Sequence, residues 1–193
     1  NTILMLVADI QPDGSLAIVR DEHGIARLGK EVDEQKKISL ETFQRALSFL
    51  KEYKELSDTC RSEKIIACGT SALRDAVNKK EFISFISKEL GFTIEVLSGD
   101  EEAELTYLGA VSEFLQPHGQ QNFAVLDIGG GSTELTSGSN KQVNRKQSLD
   151  IGCVRLTERI LKTSPPSAQS LSQAIDEVRD QVAGYSMLSP QTT

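Results

Sequence analysis

The chain has 193 residues, enough for one large or two small domains around a sizeable buried core. Hydrophobic residues at 38% and charged residues at 25% set a globular balance, and no run approaches the roughly 20 apolar residues that a membrane span needs. The 21 basic and 28 acidic residues leave a net charge of −7, which argues against a surface that grips nucleic acid or anionic lipid by charge alone.

Residues 1–10 (NTILMLVADI) and 15–21 (SLAIVRD) are apolar runs joined by Gln11-Pro12-Asp13-Gly14, turn chemistry that predicts a hairpin. The segment up to Lys37 is mixed and charged. Leu40, Phe43, Leu47 and Leu50 then recur at helical spacing behind Ser39, a predicted N-cap. Residues 64–68 (KIIAC) read as a short buried strand ending at Gly69, and a helix is expected over 70–77. A further helix over 82–90 stops at Gly91. Residues 92–97 (FTIEVL) alternate as a strand, and Ser98 opens a helix with Leu108, Val111 and Leu115 on one face. Residues 116–121 (QPHGQQ) are the best linker, so the domain boundary is placed there: 1–119 and 120–193. Beyond it come a strand over 123–127 (FAVLD), three glycines, a β-like run over 132–136, and a polar turn at 137–140. Two helices follow, near 154–161 and 167–182. No internal repeat stands out.

The net charge means that a phosphate-bearing ligand must be held locally, by backbone N–H groups, one or two basic side chains or a metal ion. The segment Asp127-Ile128-Gly129-Gly130-Gly131-Ser132-Thr133-Glu134-Leu135 has the parts for this. Three glycines let the backbone approach a phosphate, and carboxylates stand on both sides. It is not a dinucleotide fingerprint, because the residues after the glycines prefer a strand. The competing reading is a tight turn between two core strands. Glu101, Glu102 and Glu104 crowd a helix start, where acidic side chains are favoured by the exposed N–H groups. Ser98 and Glu101 make a capping-box pattern, which leaves Glu102 without such a duty and makes it a candidate general base. Thr70, Ser71 and Arg74 sit after a strand at a helix start, as an anion site or as an N-cap followed by a solvated arginine. Cys153 is either a small core residue or a site wall. The sparse cysteines, Cys60, Cys68 and Cys153, suit a reducing compartment such as the cytoplasm, and His23 and His118 are too isolated for zinc.

Four segments in this order resemble the exopolyphosphatase and guanosine pentaphosphate phosphohydrolase (Ppx/GppA) family: residues 69–78 (GTSALRDAVN), 98–105 (SGDEEAEL), 127–135 (DIGGGSTEL) and 152–154 (GCV). The likeness runs from Asn1 to about Ile160. It implies an α/β fold of the actin, sugar-kinase and heat-shock chaperone superfamily, with two ribonuclease-H-like domains and a cleft between them. It also implies Mg²⁺-assisted attack of water on the terminal phosphate of polyphosphate or the 5′ phosphate of guanosine pentaphosphate. By position, Glu102 matches the catalytic base, and Glu134 and Asp127 match acidic residues that place the metal or the water. Gly129, Gly130, Gly131, Ser132 and Thr133 match the phosphate loop, and Thr70, Ser71, Arg74 and Cys153 match residues lining the same cleft. Asn1 and Thr2 match the tail of a first phosphate-contacting loop whose Asp and Gly do not appear, and the chain stops before the family's second Gly-Thr-rich loop. The second domain is therefore expected to be incomplete. The resemblance further suggests a homodimer, with no nucleic-acid or membrane partner. A non-hydrolytic polyphosphate or alarmone binder and a small-molecule kinase of the same superfamily are the alternatives. Phosphate release from polyphosphate with Mg²⁺ separates out the first, and label transfer from ATP the second.

Overall fold

The protein is described here by a computed structural model covering residues 1–115 and 118–183. By its contacts the chain divides into two compact units, Asn1–Val96 and Leu97–Thr193.

The first unit opens with the expected hairpin. Strands β1 (Thr2–Ile10) and β2 (Leu16–Ile25) pair antiparallel from Thr2 opposite Ile25 to Ile10 opposite Leu16. The turn is closed by Gln11 N–H on the Ser15 carbonyl at 2.9 Å, and Asp13 Oδ1 accepts from Ser15 N–H at 2.9 Å. The mixed, charged stretch that follows carries one unforeseen turn of helix, α1 (Val32–Gln35). Helix α2 (Leu40–Thr59) starts at Ser39, whose Oγ accepts from Thr42 N–H at 3.2 Å, so the N-cap is as expected. It is tied to the hairpin by Arg45 Nε, which donates to the Ala26 carbonyl at 2.6 Å.

Strand β3 (Ala67–Gly69) is shorter than its apolar run suggests. Ile66 is exposed, not buried, and helix α3 (Ser71–Asp75) is a single short turn. Helix α4 (Lys79–Leu90) then crosses over to β4 (Ile94–Val96), which pairs parallel with β3, and Gly91 ends α4 as expected. Phe43 and Phe82 meet edge to face at 4.9 Å in a core that also holds Val32, Ile38, Leu73, Ile86 and Ile94.

The second unit is one three-stranded antiparallel sheet with helices on both faces. Helix α5 (Gly99–Ser112) precedes β5 (Asn122–Ile128), β6 (Thr133–Ser139) and β7 (Gln142–Leu149), in the order β5-β6-β7. Helices α6 (Cys153–Arg159) and α7 (Ala168–Ala183) follow. Strand β7 was not foreseen, and the turn expected at residues 137–140 sits later, because β6 runs on through Ser139.

Alternation sorts the strand residues between the two faces. Thr136 donates through Oγ1 to the Ala103 carbonyl at 3.2 Å, and Tyr107 Oη donates to the Asn140 carbonyl at 2.9 Å, so one face carries α5. On the other, Leu135, Leu149 and Ile151 pack with Val178 of α7. Because α5 packs on this sheet, the division by contacts falls before α5, ahead of the linker expected at residues 116–121. Two of those linker residues, Gln116 and Pro117, lie outside the described residues, as does the closing stretch 186–193.

Candidate functional site

The sheet register gathers the acidic residues. In β6, Glu134 is directly opposite Asp127 of β5 and Ser148 of β7, so the three side chains share the face that carries α5. Glu134 is only 2% exposed, and its Oε1 accepts a hydrogen bond from Ser148 Oγ at 2.7 Å. Burial pushes its carboxyl above the ordinary range, and the negative charges of Glu102 and Asp127 add to this. Hydrogen bonds from Ser148 and Ser132 pull the other way.

Helix α5 brings Glu102 to this row. Its capping box forms as the sequence predicts, with Ser98 Oγ accepting from Glu101 N–H at 3.2 Å and Glu101 Oε2 accepting from Ser98 N–H at 2.8 Å. The helix start lies close against β7. A Cβ built on Gly99 would come within 2.7 Å of Ser148 Cβ, so a side chain at position 99 would force α5 away from Ser148. Gly99 and Ala103 face the sheet one turn apart, and Glu102 is on the same side, half-buried. Lys146 Nζ, 2.7 Å from Glu104 Oε2, adds a third tie between α5 and the sheet.

The glycine loop is held by α6. The N–H groups of Cys153, Val154 and Arg155 donate to the carbonyls of Gly129 and Gly130 at 2.9–3.1 Å. Arg155 Nε donates to the Gly131 carbonyl at 2.7 Å. These peptide bonds are trans, so the C=O of one residue and the N–H of the next point in opposite directions. The N–H groups of Gly130 and Gly131 consequently point away from α6, and that of Ser132 points away from Arg155. The hydroxyls are arranged differently from the sequence expectation. Thr133 Oγ1 donates to the Ile151 carbonyl at 2.7 Å, and Ser132, 2% exposed, bonds to Glu134. Cys153 is exposed, not a core residue, and its N–H is taken by Gly129.

The remaining candidates belong to the first unit. Thr70 is exposed at the start of α3 and makes no side-chain cap bond, Ser71 is buried, and Arg74 is half-buried. Thr2 is exposed at the head of β1. Asn1 accepts from Arg27 N–H at 2.8 Å, and its Oδ1 lies beside Gly29, which also neighbours Ala72 of α3. Sequence reasoning missed Ser148 and Arg155. The only available signals were a hydroxyl whose strand neighbour could be inferred only once β7 was known, and an arginine shortly after Gly152.

Among the described residues, no three His, Cys, Asp or Glu side chains close into a metal-ligand group. Asp127 and Glu134 instead offer hard carboxylate oxygens in a crowded row of like charge. That donor set fits an ion such as Mg²⁺, which takes one or two carboxylates and leaves its other positions to water and substrate phosphate. No helix among the described residues is long and apolar enough to cross a membrane.

Comparison with known proteins places these features in a family context. The profile of the Ppx/GppA phosphatase family matches residues 6–191. Exopolyphosphatase 2 of Mycobacterium tuberculosis is 40% identical over 190 residues, covering 94% of this chain and 59% of that protein. The guanosine-5'-triphosphate,3'-diphosphate pyrophosphatase of Vibrio cholerae is 34% identical over 181 residues, 94% of this chain and 35% of that protein. The crystal structure of an exopolyphosphatase from Cytophaga hutchinsonii superposes with a TM-score of 0.86 at 31% identity, over 95% of this chain and 58% of that one. The chain thus spans less than two thirds of the length of each of these relatives.

Proposed function

The chain belongs to the Ppx/GppA phosphatase family, and from that premise we propose that it carries the hydrolytic residues of a phosphoanhydride hydrolase. The substrate class is inorganic polyphosphate or guanosine pentaphosphate, in keeping with the names of the relatives. The observation that carries this reading is the row of Glu102, Glu134 and Asp127 on one face of a sheet whose β5-β6 connection is the glycine loop.

In this reading the outward N–H groups of Gly130, Gly131 and Ser132 hold the oxygens of the terminal phosphate. Glu102 accepts a proton from water as the water oxygen bonds to the terminal phosphorus, and the bond from that phosphorus to the bridging oxygen breaks. Asp127 and Glu134 would hold Mg²⁺, which when bound supplies charge neutralisation to the phosphate oxygens. Cys153 would line the same place, and Asn1, Thr2, Thr70, Ser71 and Arg74 are phosphate contacts of the first unit. Ribonuclease-H-like domains of the actin-like superfamily, a homodimer and a cytoplasmic location belong to the same proposal. The test is phosphate release from polyphosphate and from guanosine pentaphosphate, side by side, with and without Mg²⁺. Release from either supports the reading, and release from neither removes it.

A further inference from the structure

We propose that Arg155 is a positioning residue that locks the glycine loop in the form that receives phosphate, a role that rests on the loop being the phosphate site proposed above. The Arg155 side chain is 7% exposed, although burying a guanidinium is costly unless it is hydrogen-bonded. The ion pair with Asp150 is long and exposed. Asp150 Oδ1 is 3.9 Å from Nη2 and 77% exposed, a geometry that contributes little. A short contact runs to the loop, from Nε to the Gly131 carbonyl at 2.7 Å, and the residue's own N–H bonds to the Gly130 carbonyl at 3.1 Å.

Arg155 therefore grips two consecutive carbonyls, one from its backbone and one from its side chain. The contact at Gly131 has the larger consequence. A peptide plane next to glycine rotates easily, because no Cβ restrains it. Fixing the Gly131 carbonyl fixes the Ser132 N–H on the opposite side, so the third donor of the loop is aimed before any ligand arrives. Without the guanidinium that plane must be ordered at binding, which weakens affinity while leaving chemistry after binding unchanged.

The experiment uses methylenediphosphonate, a pyrophosphate analogue that is not hydrolysed, titrated calorimetrically in Mg²⁺. The unaltered chain is compared with Arg155→Gln, Arg155→Lys and Asp150→Asn, each checked for a cooperative melt. Arg155→Gln is expected to bind about tenfold more weakly, and to raise KM for polyphosphate with kcat nearly unchanged. Arg155→Lys keeps the charge but has no donor at the ε position, so it shifts the same way and stands in should the glutamine variant fail to fold. Asp150→Asn binds like the unaltered chain. Equal binding by a folded Arg155 variant, or an equal loss in Asp150→Asn, overturns the role. No binding by the unaltered chain overturns the loop as a phosphate site and this role with it, whereas binding without phosphate release overturns only the hydrolase reading.

Discussion

A Cβ on Gly152 would lie 2.6 Å from the Gly131 nitrogen and closer still to the Gly130 carbonyl, so the N-cap residue of α6 is a point where that helix touches the glycine loop. Its φ of −162° is open to any residue, so the constraint is steric rather than conformational. All three atoms met by the added carbon are backbone, and none can swing aside. Gly152→Ala should therefore cost about 1–3 kcal/mol in urea denaturation, as overpacking does, and should weaken methylenediphosphonate binding by displacing the loop. A variant that matches the unaltered chain on both counts would show that the helix does not set the loop.

The adjacent carboxylates of α5 should separate cleanly by function. Glu101 closes the capping box, whereas Glu102 is one residue further on, beside Glu134. Glu102→Gln should keep the melting temperature and lower phosphate release about a hundredfold or more, the usual scale for loss of a general base. Glu101→Ala should do the reverse, lowering the melting temperature and sparing turnover per folded molecule. Exchange of these two phenotypes would reassign the base.

Much of this arrangement was legible in the sequence wherever one residue type has one physical use. Pro12-Asp13-Gly14 could only turn, Ser98 with Glu101 could only cap, and the glycine triplet had to leave a strand. Strand β7 was illegible because its sequence, QVNRKQSL, lacks an alternating apolar face. It faces α5 with Lys146 and Ser148, whose partners are acidic side chains, so polar residues occupy positions that the pattern reserves for apolar ones. Ile66 misled for the opposite reason, an apolar residue in a strand-like run that stays exposed. The contact between Gly129 and α6 left only a faint trace. Leu-Asp-Ile-Gly occurs at 126–129 and again at 149–152, and the glycine of each copy stands where the loop and the helix meet.

Asn78 holds the first unit together at a place with no regular structure. Its Oδ1 accepts from Ile38 N–H at 3.0 Å and its Nδ2 donates to the Ile38 carbonyl at 2.9 Å, pairing one side chain with both backbone groups of a core residue. Asn78→Ala leaves both groups half-buried and unsatisfied, and should cost about 1–3 kcal/mol by urea denaturation. Asn78→Asp keeps the acceptor and loses the donor, so it should destabilise as well. Phosphate-analogue binding per folded molecule should be unchanged in both, and a stability equal to the unaltered chain would remove the clamp.

Glu134 should make stability depend on pH in the direction opposite to most carboxylates. Burial first, then the charges of Glu102 and Asp127, hold its folded pKa above the ordinary 4.5, so between those values the folded chain binds more protons than the unfolded one. Stability from this group is therefore present at or below pH 4.5 and is lost as pH rises through the folded pKa. Glu134→Gln, which can still accept from Ser148, removes that loss. In EDTA it should be more stable than the unaltered chain at pH 7, with the gap closing as pH falls to 4.5. A glutamine variant less stable at pH 7 than at pH 4.5, relative to the unaltered chain, would show that the charged carboxylate is the favoured form. Mg²⁺ should then act on only one of the two proteins, because an ion held by Asp127 and Glu134, as proposed, favours the ionised carboxylate. Adding it at pH 7 should raise the melting temperature of the unaltered chain and leave that of Glu134→Gln nearly unmoved, and equal shifts would place the ion elsewhere.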